Sequence, residues 1–176
     1  MKLEQIRGQI DLIDEQIIDL LSQRANLAKQ AFEAKKKNGQ VSPFIPERED
    51  RVFNRISKIA NTKLGNSALG VFTEIVSLCR FLEKQIVILV LQNQLDKAET
   101  AITKRFGRCV CILPASDVND LLTRLKTGAL YGFIRKDTAE FDTIVAYDGI
   151  SIVCEYSYQS LLQDAQDITY SLLKIS

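Results

Sequence analysis

From Leu3 onward, apolar side chains recur at Leu3, Ile6, Ile10, Ile13, Ile17, Leu20, Leu27 and Ala31 in alternating steps of three and four, the spacing of one face of a helix. Arg24 takes the one beat of this row that is not apolar. A guanidinium on such a stripe needs an anion, because burying an unpaired charge is costly. The period runs without proline to about Lys37, where "KKNGQVSP" supplies a basic last turn, Gly39 and Pro43 as stop signals. At about 1.5 Å per residue such a helix is ~50 Å long, more than a domain built from the first 85 residues can cover. A dimer that shares its long helices is expected.

A second helix is predicted from Pro46, suited to a first helical turn, through "EREDRVFNRISKIAN". A third begins near Asn66 or Ser67 and runs through "ALGVFTEIVSLCRFLEKQ", with Phe72, Val76, Cys79 and Glu83 in one row. After Gln85 the pattern changes to short β-type runs, "IVILVL", "RCVCILP", "LYGFI", "TIVAY" and "ISIVCEYSY". Helical stretches separate them, "DKAETAITKRFG" and "SDVNDLLTRLKTG", the second with Ser116 as the expected N-cap and Gly128 just past its end. "AYDGIS" reads as a hairpin, and a last helix is predicted from about Gln159 to Lys174. The expected architecture is an all-α domain of three helices over residues 1–85, forming an intertwined dimer, followed by a small α/β lobe over residues 86–176.

Composition narrows this picture. At 46% hydrophobic and 26% charged, 176 residues can bury one ordinary core or two small ones. A formal net charge of +1 argues against a general nucleic-acid or membrane role. Cys79, Cys109, Cys111 and Cys154 lack C-x-x-C spacing and the chain has no histidine, so no metal site is expected and four buried, reduced thiols are. The chain begins in a charged amphipathic helix, and its longest apolar run, "IVILVL", is too short to span a bilayer, so a cytoplasmic protein is expected.

The charges of the helical half carry the candidate chemistry. Arg24 and Lys35 lie eleven residues apart, about three turns, and project from one face about 16 Å apart, able to grip two ends of a small dianion. Arg7 is rotated about 100° off that face and reaches such a pocket more easily from a partner chain. Arg48 and Glu49 occupy the first turn of the second helix, whose free N–H groups favour an anion. Taken singly, Arg7, Lys35, Arg48 and Glu49 are also ordinary solvated helix charges. Arg24 and Glu83 each interrupt an apolar row, which suits either a site or a structural buried pair.

The order of "LEQIRGQIDLID", "LLSQRANLA", "EAKKKNG", "IPERED" and "VFTEIVSLCRFLEKQ" resembles the all-helical class of chorismate mutases, most of all the mutase part of bifunctional mutase/prephenate dehydratases, over about residues 3 to 85. The family pattern falls on Arg7, Arg24, Lys35, Arg48 and Glu49 without substitution, with the loop between Lys35 and Arg48 one residue longer than usual. The resemblance implies a homodimer that rearranges chorismate to prephenate without metal or cofactor. It implies that Arg24 and Arg7 of the other chain hold the two carboxylates, Lys35 a carboxylate and the ether oxygen, and Glu49 and the backbone N–H of Ile45 the ring hydroxyl. Arg48 orients the site, Cys79 stands where some relatives have Ser, and Glu83 faces the ether oxygen, where it must be protonated to donate.

Residues 85 to about 156 resemble a shortened first lobe of a prephenate dehydratase, through "KRFGRCVCILPASDVNDLLTRLKTGALYGFI" and "ISIVCEY". The departures fall where the chemistry belongs. "QNQLDKAE" replaces a Gly- and Thr-rich segment, "RKD" replaces Glu-Asn-Ser after the "YG" strand, and the given chain stops before the second lobe. No dehydratase activity is expected. The competing expectations are a mutase-like dimer that regulates or docks on another shikimate-pathway protein, and a structural dimer whose buried charges set register.

Overall fold

The computed structural model describes residues 2–39, 42–60, 64–65, 67–128, 131–158 and 167–175. Helix α1 (Leu3–Lys37) is continuous and ends with the Asn38 and Gly39 N–H groups bonded to the carbonyls of Lys35 and Lys36, Gly39 being at φ 78°. Helix α2 (Pro46–Ala60) starts at its proline, and α3 (Ser67–Glu83) returns beside both. Within one chain only the C-terminal half of α1 is covered, through Leu21, Arg24, Ala25, Ala28, Phe32 and Lys35. The predicted stripe through Ile6, Ile10, Ile13 and Ile17 lies open, with Leu20 and Leu27 63% and 65% exposed.

The α/β region continues as β1 (Val87–Leu91), a short 3-10 turn, α4 (Leu95–Phe106), β2 (Cys111–Ala115), α5 (Val118–Lys126), β3 (Tyr131–Arg135), α6 (Ala139–Val145), β4 (Ile150–Tyr158) and β5 (Ile168–Ile175). The five strands form one sheet in the order β2-β1-β3-β5-β4, parallel through β2, β1 and β3 and antiparallel at β3–β5 and β5–β4. Both faces are covered, which is why the central strands read as unbroken apolar runs. Ile88, Val90, Tyr131, Phe133, Tyr170 and Leu172 pack on one face with Ala98, Ala101, Ile102 and Phe106 of α4. Leu89, Leu91, Ile134 and Leu173 pack on the other with α5 and α6.

Several expectations for this region are corrected. The last predicted helix is strand β5 over its described part, and residues 159–166 lie outside the described residues. "TIVAY" falls largely in α6, where Phe141, Ile144 and Val145 have helical rather than alternating spacing and pack on the sheet. "AYDGIS" is a helix-to-strand turn rather than a hairpin, with Gly149 at φ 84°. The N-cap of α5 is Asp117, not Ser116: its carboxylate accepts the Asp120 N–H at 2.9 Å, while the Asp120 carboxylate accepts the Ser116 N–H at 3.0 Å. The four cysteines are free as expected, but only Cys79 is fully buried.

The two halves meet on α3 and on the chain between α1 and α2. Gly107 ends α4 at φ 72° and lies so close to α3 that a Cβ there would fall 2.5 Å from Cβ of Ser77. The Ser77 hydroxyl accepts the Cys109 N–H at 3.0 Å. Phe44, 3% exposed, sits in the core of the α/β region, edge-on to Phe106 and Tyr131 with centroids 5.2 and 6.3 Å away. Among the described residues, no helix is long and apolar enough to cross a membrane.

Candidate active site

The pairing of α1 with α3 brings four of the candidate residues together. Arg24 Nη1 lies 2.7 Å from Sγ of Cys79, and one turn further along α3 the Glu83 carboxylate lies 3.5 Å from Nζ of Lys35. Cys79 and Glu83 lie about 6 Å apart along α3 against about 16 Å between Arg24 and Lys35 along α1, and the long side chains of the two cations span the difference so that both contacts form along one seam. Burial raises the Glu83 pKa above the usual carboxylate value, with Lys35 first, then Arg24 and Arg80, pulling the other way. Burial winning over three cations means that this carboxyl takes up a proton more readily than an exposed one.

Glu49 lies on the inner side of the first turn of α2 and is 6% exposed. Its carboxylate sits between two guanidiniums, with Oε1 3.3 Å from Nε of Arg80 and Oε2 3.5 Å from Nη1 of Arg105. Burial raises its pKa too, against the lowering effect of Arg80 and Arg105, while Asp50 and Glu83 add to the rise. Arg80 is buried, and burial lowers its pKa while Glu49 opposes this. Its Nη2 donates to the Phe106 carbonyl at 2.6 Å, and its guanidinium lies 5.5 and 5.9 Å from the ring centres of Phe106 and Phe44. Among the described residues Oε1 of Glu49, Oε2 of Glu83 and Nε and Nη1 of Arg80 are buried without a well-formed hydrogen bond. Such atoms are rare in native interiors, and Ser171 Oγ in the sheet has the same status.

The remaining candidates stand apart. Arg48 is exposed, and the carbonyl of half-buried Ile45 accepts the Arg48 and Glu49 N–H groups at 3.1 Å as the helix starts. Arg7 is exposed on the uncovered half of α1, about 25 Å along the axis from Arg24 of its own chain. Arg80 and Arg105 are absent from the candidates that sequence reasoning names. A signal for Arg105 exists: Ala98, Ala101, Ile102 and Arg105 follow one helical row, in which Arg105 is the polar beat as Arg24 is in α1. No comparable signal marks Arg80. No group of three or more metal-ligating side chains occurs among the described residues.

A helical half in which cations of a long first helix face a thiol and a carboxyl of the third, joined to a mixed α/β sheet, is the class of protein that emerges. Residues 6–84 match the family model described as chorismate mutase type II. Over 86 residues the chain is 34% identical to a protein named chorismate mutase from Methanocaldococcus jannaschii, a match covering 48% of this chain and 86% of that protein. The chain belongs to the chorismate mutase type II family. It is also similar to proteins named bifunctional chorismate mutase/prephenate dehydratase. That of Aquifex aeolicus is 32% identical over 139 residues, 76% of this chain and 38% of that protein, and that of Pseudomonas aeruginosa 28% over 134 residues, 73% and 37%. These matches are too long for the helical half alone and continue into the α/β region, and the chain spans little more than a third of the length of these bifunctional relatives. No solved structure matches the chain.

Proposed function

We propose that this protein is a chorismate mutase of aromatic amino acid biosynthesis, converting chorismate to prephenate in the cytoplasm. The observation that carries the reading is the seam in which Arg24 and Lys35 of α1 meet Cys79 and Glu83 of α3. The reaction breaks a C–O bond as a C–C bond forms within one molecule, so it needs no nucleophile. The protein's task is to hold a flexible dianion in its compact form and to favour negative charge growing on the ether oxygen. Arg24 and Lys35 supply fixed positive charge for a carboxylate and that oxygen, and a protonated Glu83 donates a hydrogen bond beside them. Cys79 walls the site under Arg24. Glu49 and the Ile45 N–H serve the ring hydroxyl, and Arg48 orients the rim.

The second carboxylate falls to Arg7 of a second copy. The uncovered apolar row of α1 supports this, because two such helices laid together bury each other's stripe and carry Arg7 to the far site. The helical domain takes residues 1–85 and the α/β lobe residues 86–176. "QNQLDKAE" and "RKD" in place of the dehydratase segments support a lobe without dehydratase activity.

The test is loss of chorismate absorbance, wild type beside Arg24→Ala, with prephenate and phenylpyruvate quantified afterwards. Prephenate formation that falls by about 10²-fold or more in the variant is expected. No turnover by the wild type overturns the reading.

A further inference from the structure

Besides the bond from Arg80 to the Phe106 carbonyl, the α/β half touches the helical site at three further points. Arg105 of α4 reaches the Glu49 carboxylate at 3.5 Å and lies equally far from Asp50. The Phe44 ring, one residue before Ile45 and five before Glu49, is seated in the α/β core against Phe106 and Tyr131. The Ser42 hydroxyl lies 2.8 Å from the Tyr131 hydroxyl and donates to the Phe44 carbonyl at 2.7 Å. The stretch that leads into the first turn of α2 is thus fastened to the sheet by a ring and a hydroxyl, and the side chain that follows is fastened to α4 by charge.

We propose that the α/β half is a working part of the mutase site, in which Arg105 is a positioning residue for Glu49 while Phe44 and Tyr131 hold the chain before α2 in its substrate-binding shape. This rests on the mutase reading. The alternative, a lobe that merely packs alongside, does not account for a guanidinium aimed at a buried carboxylate that Arg80 already partners. A fully packed anchor removes the cost of ordering the 42–45 chain when substrate arrives. A second guanidinium on the outer oxygen fixes the rotamer of a carboxylate that must meet one hydroxyl.

The Arg105 guanidinium also lies 5.8 and 5.6 Å from the ring centres of Phe44 and Phe106, so the pH profile, rather than the loss of activity alone, separates its charge from its packing. The groups facing Glu49 are Arg80 and Glu83 from α3, Arg105 from α4 and Asp50 from its own helix. Tyr131 of β3 and Cys154 of β4 stand nearby, and burial keeps both protonated, the Cys154 thiol being pushed up to about 11. Removing Arg105 leaves burial and Asp50 less opposed, so Glu49 ionises at higher pH and the acid side of the activity profile moves up.

The experiment compares full-length wild type, Arg105→Gln, Arg105→Lys and Tyr131→Phe for kcat and KM with chorismate across pH. Arg105→Gln is expected to lose about tenfold or more in kcat/KM and to shift the acid limb upward, with Lys restoring the limb. Tyr131→Phe, which removes one oxygen, is expected to raise KM about two- to tenfold with kcat little changed. Should Arg105→Gln fail to fold, Tyr131→Phe decides alone. Wild-type kinetics in the folded variants, or a loss in Arg105→Gln with an unmoved acid limb, overturns the proposal while leaving the mutase reading intact. An inactive wild type overturns both.

Discussion

The two halves of this molecule solve the burial problem in opposite ways. In the α/β half, Ile88, Leu89, Val90, Phe133, Ile134 and Leu173 have no exposed surface, and helices cover both faces of the sheet. In the helical half, Leu3, Ile10, Leu12, Ile13, Ile18, Leu20 and Leu27 are about half exposed or more, though they are as apolar. Local sequence does not explain the contrast, since both halves hold strong patterns. The difference is geometric: a sheet closes its core with crossover helices of the same chain, whereas a ~50 Å helix outruns its neighbours and needs a second surface. One half therefore closes its own core, and the other leaves an apolar face that the proposed dimer would cover.

The strongest way to break this comparison is Ile13→Glu. A charge in the middle of the uncovered stripe is expected to turn the proposed dimer into a monomer by light scattering and to remove about 10²-fold or more of mutase activity, because the proposed reach of Arg7 into the far site is then lost. A monomer with full activity would show that the helical half is as complete as the other. Leu89→Ala tests the opposite half: it is expected to cost about 2–5 kcal/mol in urea unfolding at any protein concentration, as cavity formation in a closed core does. A midpoint that moves with concentration would place that core under the control of assembly instead.

Glu83→Gln sharpens the comparison at the smallest scale, within one seam. Burial raises the Glu83 pKa, and the protonated carboxyl is the proposed donor, so its active fraction falls as pH rises through that raised value. Wild-type activity should fall on the alkaline side, and the amide, which donates at every pH, should flatten that fall while staying within about tenfold of wild type at lower pH. An unchanged alkaline limb in the Gln variant would assign the titration to another group.

The three helices of the first half were the most legible part of the sequence, unlike α6 and β5. Pro46, Gly39 and the apolar rows announce α1, α2 and α3 almost to the residue, because capping and periodicity are local. Strand β5 was misread although its first five residues carry a strand signal. Ile168, Tyr170 and Leu172 alternate with Thr169 and Ser171, but Leu172 and Leu173 serve opposite cores and break the phase, and the pairing with β3 depends on residues distant in sequence. The site divides in the same way. Arg24, Lys35, Cys79 and Glu83 could be read because two helices each present them at whole-turn spacing. Arg80 could not, since its partners are a carboxylate on α2, a carbonyl at the end of α4 and the Phe44 ring, brought together only by the packing of α2 on α3 and by the docking of the halves.

Phe44 makes the boundary along the chain differ from the boundary in space. By sequence it belongs to the first half, but its ring fills a place in the second, beside strands that begin only at Val87. A genetic exchange that joined this helical half to another sheet would bury Phe44 against strangers, and one that replaced the helical half would leave a void between Phe106 and Tyr131. The two coding segments are thus poor candidates for shuffling, and substitutions at 44, 106 and 131 should be accepted in evolution only in concert.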